Sequence, residues 1–197
     1  MASYSVNALT DDCYQGTTVL INKLNINNQG DLDAVESAIV PAKAALWEEN
    51  PLMVSFDFAR YCAIHKYLFE DLYEWAGKIR TVDISKKGTP FCPAVQIEST
   101  AQAGFSRLQA QNYLRGLNKT AFTNELVDPY ERTNELHPFR EGNGRMQRVF
   151  LSQLTHCAGY ELDFTCIDSD DLMIATIQSA GGVDDFLKEL FTEMIQD

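Results

Sequence analysis

The sequence predicts an all-α domain that carries one small β-hairpin. Three observations predict it. Apolar residues recur at three- and four-residue spacing along most of the chain, one short stretch alternates with period two, and glycine or proline marks the junctions. A length of 197 residues fits one domain, and 45% hydrophobic residues suffice for a sizeable core. No internal repeat or low-complexity linker divides it, so residues 1–197 read as a single unit.

Residues 1–30 are polar and read as an N-terminal arm with a short helix. Asp31 to Asn50 has helical periodicity through Leu32, Val35, Ala38 and Ile39, with Pro41 expected to kink or break it. Asp57 to Trp75 is an amphipathic helix, on Ala59, Cys62, Ala63, Tyr67, Leu68, Leu72 and Trp75, ended by Gly77. The period then changes. Arg80 to Ile84 alternates, Ser85 to Gly88 is a turn, and Phe91 to Ile97 is extended, which makes a hairpin over about 80–97. Pro90 and Pro93 cannot donate to a ladder, so the second strand is an edge or is broken. Helical patterns follow at Glu98–Leu114 and at Lys119–Leu136, the latter with a boundary or kink expected at Asp128-Pro129. Three more run over Gly144–Ala158, Asp168–Ser179 and Val183–Gln196.

The formal net charge of −12 argues against a nonspecific grip on nucleic acid, which needs clustered positive charge. Any polyphosphate ligand needs a local positive site working against that field. The five cysteines (Cys13, Cys62, Cys92, Cys157, Cys166) are scattered and lack the C-x-x-C spacing of a zinc or redox motif. Free thiols in a reducing cytoplasm are the simpler reading. The N-terminus has no secretory pattern and no apolar run is long enough for a membrane span, so a cytoplasmic protein is expected.

The segment from Leu136 to Arg148, LHPFREGNGRMQR, concentrates the chemistry. Pro138 biases His137 away from the helical region, so its imidazole can project into a site and act as a general base. Gly142-Asn143-Gly144 lets backbone N–H groups turn toward an anion, and the helix beginning there adds its positive end. Taken alone that tripeptide is a common turn; beside His137 and two arginines it reads as a phosphate cradle. Arg145 and Arg148 are three apart and project from one helix face, with guanidinium forks suited to phosphate. Glu141 is the candidate Mg2+ ligand, because one carboxylate plus substrate phosphates is how that ion is usually held. Zinc is a poor alternative, since HExxH is absent. Phe139 is expected to anchor the loop and Arg140 to face solvent. His65 and His156, mid-helix without a partner motif, read as structural.

The pattern HPFREGNGR resembles the signature of the Fic family, enzymes that transfer AMP from ATP onto protein hydroxyls. Seven of its nine positions match, and segments such as Ile64–Arg80 and Val82–Lys86 also look like Fic-domain sequence. The resemblance implies a Fic-fold helical bundle with the hairpin as a flap above the site. It implies that His137 deprotonates a Ser, Thr or Tyr of a target protein, which attacks the α-phosphate of Mg-ATP. By the same resemblance, Gly142, Asn143, Gly144, Arg145 and Arg148 hold the nucleotide and the flap aligns the target by main-chain pairing. Lys86 and Lys87 at the flap turn could reach the nucleotide or could simply keep an edge strand soluble. Members with lysine at the second signature glycine bind nucleotide reversed and act as kinases; Gly144 argues against that.

Many relatives carry an inhibitory (S/T)-x-x-x-E-(G/N) helix. Only Glu49 and Glu141 precede Gly or Asn, and four residues before them stand Ala45 and His137, so the motif is absent. The expectation is a toxin restrained by a small separate antitoxin that supplies the glutamate. Targets known in that branch are type II topoisomerase subunits, although no residue here identifies a target. Relatives often have Glu five residues before the histidine, where this chain has Arg132. Alternatives from other classes are a non-catalytic nucleotide- or partner-binding module, and an enzyme using another nucleotide or a phosphocholine donor.

Overall fold

The computed structural model describes Ser5, Val6 and residues 12–48, 55–86 and 88–196. In chain order these form β1 (Ser5–Val6), α1 (Gln29–Glu48), α2 (Phe58–Phe69), β2 (Ile84–Lys86), β3 (Thr89–Pro90), α3 (Ile97–Ala110), α4 (Lys119–Leu136), α5 (Asn143–Ala158), β4 (Glu161–Leu162), α6 (Ser169–Ala180), α7 (Asp185–Met194) and β5 (Ile195–Gln196). It is the expected helical bundle with a small flap. None of the helices among the described residues is long and apolar enough to cross a membrane.

Helices α2 and α5 pack together at the centre, and the aromatic side chains Tyr61, Phe69, Phe122, Phe139, Phe150 and Phe191 are all fully buried. Phe139 belongs to the signature loop, not to a helix. Its ring stacks on His65 at 3.8 Å and lies 6.1 Å from Tyr61. Burying a phenylalanine side chain stabilises by about 1.5–3 kcal/mol, so the loop is rooted in the core.

Several elements depart from the sequence reading. Helix α1 continues through Pro41, and α4 through Pro129. The carbonyls that lose a donor belong to Ser37 and Glu125, both in exposed residues, where water can replace the missing bond. The helix expected to reach Trp75 stops at Phe69. Beyond it the chain folds back, with Tyr73 N–H donating to the Phe69 carbonyl at 2.9 Å. Leu72, Tyr73 and Ala76 stay buried, so apolar spacing outlasts the helix that it appeared to mark. Gly77, at φ 77°, lies so close that an added Cβ would meet the Lys66 Cβ at 2.7 Å. Helix α3 ends early because Asn112, Tyr113 and Leu114 take φ of 53°, 55° and 61°.

The arm contains no helix among its described residues before Gln29. Residues 12–20 instead form a tight loop closed by a Cys13–Leu20 bridge. The hairpin is present but shifted: its strands are β2 and β3, not 80–84 and 91–97, and residues 94–96 form a single 3-10 turn. Strand β1 adds a third member, giving the order β1-β2-β3 with Ser5 opposite Ser85 and Pro90 opposite the same serine. Pro90 lies on an edge strand, where its missing N–H costs no ladder bond. A second antiparallel pair, β4 with β5, has no counterpart in the sequence reading.

His65 is 0% exposed and structural, as expected, but it reaches the signature loop. Its Nδ1 accepts from Gly77 N–H at 2.9 Å, which makes Nε2 the protonated nitrogen. Nε2–H then donates to the Glu141 carbonyl at 2.9 Å. Burial pushes its pKa down to about 3, with the Arg145 charge acting the same way against the Glu141 hydrogen bond. The unfolded imidazole titrates near 6.5, so between the two values only the unfolded state binds the proton. Stability from this group is complete above that value and falls with pH by up to about 1.4 kcal/mol per unit. Urea melts of the wild type between neutral pH and pH about 4.5 should therefore show a steep loss that His65→Gln makes shallower without abolishing, since His137 is depressed in the same way, even though the variant is less stable at neutral pH.

Candidate active site

Helix α4 delivers His137 and terminates there. Its backbone is left-handed at φ 35°, ψ 62°, a conformation that costs a non-glycine residue about 1–3 kcal/mol. Pro138 does exclude the right-handed helical region, though the alternative adopted is left-handed and not extended. Nδ1 of His137 hydrogen-bonds the Asn134 carbonyl, so it carries the proton and Nε2 keeps an acceptor lone pair. The ring stacks on Phe91 of the flap, centroids 3.7 Å apart. Burial pushes the pKa down to about 3, opposed by the Asn134 contact and reinforced by Lys86 and Arg80. The imidazole is neutral at pH 7.

Arg80, read from the sequence only as a strand residue, holds this arrangement. It is 5% exposed, and its Nε donates to the His137 carbonyl at 2.8 Å. Nη1 donates to the Val82 carbonyl at 2.8 Å, Nη2 donates to the Cys92 carbonyl, and its backbone N–H reaches the Pro138 carbonyl at 2.9 Å. One guanidinium thus ties both legs of the flap to the turn at His137. This draws residues 80–83 out of strand geometry and explains the shifted hairpin.

The loop that follows is closed by Asn143. Its Oδ1 accepts from Phe139 N–H at 2.9 Å and its Nδ2 donates to the Phe139 carbonyl at 2.8 Å. Its side chain is therefore spent inside the loop, and what it offers a ligand is backbone at the start of α5. Gly142 caps α5 at φ 79°, and an added Cβ would lie 2.3 Å from the Phe69 ring. No other residue fits there. Gly144 differs: it is exposed, and a Cβ would meet nothing within 4 Å. The fold does not require glycine at this position, so its small size keeps the surface above the helix end open.

The arginines do not share one environment. Arg140, expected in solvent, is half-buried, with Nε 2.6 Å from Asp12 of the arm. Arg145 turns inward. Nη1 lies 2.6 Å from Glu36 of α1 and Nη2 lies 3.6 Å from Glu141. The guanidinium also stands 4.9 Å over the Phe69 ring. Arg148 is exposed, its guanidinium 5.5 Å over Phe164. Glu141 accepts from Gly142 N–H at 2.9 Å. Burial raises its pKa, the Gly142 hydrogen bond and Arg145 oppose this, and Glu36 adds to the rise.

Lys86 lies on β2, close enough for its charge to bear on His137; Lys87 falls outside the described residues. Arg132 is paired with Asp128 at 2.9 Å, and the Thr133–Gln147 hydrogen bond at 2.8 Å supports the turn from beneath. Among the described residues no group of three or more His, Cys, Asp or Glu could hold a metal by itself. A single carboxylate beside an anion cradle fits Mg2+ carried in by a nucleotide, because that ion takes most of its ligands from phosphate and water. The site can therefore do base chemistry on a hydroxyl next to a bound polyphosphate.

Residues 55–155 match the Fic/DOC family. The "Probable protein adenylyltransferase y4lH" of Sinorhizobium fredii is 40% identical over 178 residues, covering 89% of this chain and 91% of its own. The "Probable protein adenylyltransferase Fic" of Escherichia coli K12 is 35% identical over 184 residues, covering 93% and 91%. Among solved structures, the BepC protein of Bartonella tribocorum with bound AMPPNP superposes with a TM-score of 0.87 at 29% identity, covering 94% of this chain and 96% of that one. An N-terminal Fic domain from Bartonella quintana with bound ADP gives 0.88 at 29% identity, covering 94% of each. The chain belongs to the Fic/DOC family.

Proposed function

We propose that this chain transfers AMP from ATP to a Ser, Thr or Tyr hydroxyl of another protein. The observation that carries the reading is the pairing of a neutral His137, its Nε2 lone pair fixed by the Asn134 contact, with an open helix end at Gly144 a few residues on. The names of the relatives at 40% and 35% identity and the nucleotides bound to the structural neighbours support it.

In this mechanism the N–H groups at the start of α5, with Arg148 and the charge of Arg145 behind them, hold the phosphates. Mg2+, held by Glu141 and the nucleotide's own phosphates, would neutralise charge as it develops. His137 Nε2 takes the proton as the hydroxyl oxygen bonds to the α-phosphorus. The bond from that phosphorus to the bridging oxygen of the β-phosphate breaks, and pyrophosphate leaves with the electron pair. A bound polyphosphate favours the imidazolium, so it raises the depressed pKa of His137 toward the working range.

The flap would receive an extended segment of the target by main-chain pairing. Strand β1 covers one edge of β2 and Pro90 removes a donor from the other side of the sheet. A target strand therefore joins β2 by displacing Ser5 and Val6. Lys86 is placed to meet the nucleotide or the target backbone. We further propose that a small antitoxin supplies a glutamate to the exposed Arg148, and that the target is cytoplasmic, a type II topoisomerase subunit being the first candidate.

Incubation with Mg2+ and labelled ATP in bacterial lysate tests the reaction. Label should pass to protein from α-labelled but not γ-labelled ATP, and His137→Ala should abolish it. Label from γ-ATP would instead make the chain a kinase. A second test separates site from fold: Gly144→Ala should leave the melting temperature unchanged or slightly higher, since alanine favours helix by up to about 1 kcal/mol. It should weaken ATP binding about tenfold in titration calorimetry, because the methyl group fills the space a phosphate needs.

A further inference from the structure

Glu36 lies on α1, far from the signature in sequence, and is 3% exposed. A carboxylate buried to that degree needs partners, and it has two. Oε1 accepts from the Tyr73 hydroxyl, and Oε2 stands 2.6 Å from Nη1 of Arg145. Tyr73 is itself 1% exposed and stacks on Trp75 at 4.3 Å. Glu36 is therefore held through both of its oxygens.

Arg145 faces a second carboxylate, Glu141, at 3.6 Å. Both terminal nitrogens are buried and neither has an aligned hydrogen-bond acceptor, so these are contacts between charges and not forked hydrogen bonds. Coulomb attraction falls with distance, and the shorter separation goes to Glu36. Two carboxylates against one guanidinium leave one net negative charge beside a cradle built for an anion. That excess is unfavourable to a polyphosphate unless a cation stands between them.

We propose that Glu36 is a positioning residue of the cation site: it draws Arg145 off Glu141 and so keeps the Glu141 carboxylate available to Mg2+. This rests on the reading of Glu141 as the magnesium ligand. Without the Glu36 charge, Glu141 becomes the only carboxylate beside Arg145, and the guanidinium closes on it. The site then loses both a ligand and the negative charge that attracts the ion.

Calorimetric titration of the whole chain with ATP, in excess Mg2+ and in EDTA, tests this. Glu36→Gln keeps the shape and an acceptor for Tyr73 while removing the charge. It should weaken binding of Mg-ATP about tenfold and leave binding in EDTA unchanged or tighter. Tyr73→Phe, which releases one oxygen of Glu36 but keeps the charge, should shift the same ratio by about twofold in the same direction. Equal losses in both conditions would overturn the proposal, since Glu36 would then serve the phosphates or only the fold. An unaltered response to Mg2+ in Glu36→Gln would overturn it as well. If the wild type gains no affinity from Mg2+, the assignment of Glu141 fails first, and the proposal with it.

Discussion

The left-handed turn at His137 is the constraint on which the rest of the site depends. A helix that continued would carry the imidazole along its own face, and one that ended in a glycine would have no base. The chain ends α4 on the histidine itself, and the cost of φ 35° is offset by contacts on every side. Asn134 fixes the ring, Phe91 covers it, and Arg80 holds the carbonyl. The tautomer follows from the same geometry: an Nδ1 bound to a backbone carbonyl leaves Nε2 to accept.

From that turn the loop is built inward, not outward. Phe139 enters the core against His65, Asn143 closes the ring of backbone around it, and Gly142 fits beneath Phe69. His65 and Arg80 thus support the loop from behind, each bonded to one of its carbonyls. The charge distribution is equally divided. Of the three signature arginines, Arg140 secures the arm, Arg145 is held by carboxylates, and Arg148 faces solvent. In a chain of net charge −12, Arg148 is the signature arginine that faces solvent, while the charge of the buried Arg145 is offset by Glu36 and Glu141.

Much of this was legible in the sequence because it is local. HPFREGNGR brings the proposed base, cradle and carboxylate within nine positions, and the apolar periodicity located the long helices among the described residues. What was not legible depends on contacts across long sequence separations. Arg80 meets His137 across 57 residues and His65 meets Glu141 across 76, so neither carries a local pattern. Glu36 carries no local pattern either, since its partners Tyr73 and Arg145 lie far along the chain. Two prolines were overvalued as helix breakers because exposure of Ser37 and Glu125 removes much of their cost. The hairpin register was misplaced because Arg80 reads as a strand residue until its guanidinium is seen among carbonyls.

Nitrogen NMR of the His137 imidazole, assigned by comparison with His137→Ala, reads the tautomer and charge of the proposed base. The geometry at His137 predicts a neutral ring at pH 7 protonated on Nδ1, titrating far below 6.5 in the free protein and moving upward when ATP is bound. An imidazole protonated on Nε2, or one titrating near 6.5 without regard to nucleotide, would contradict it.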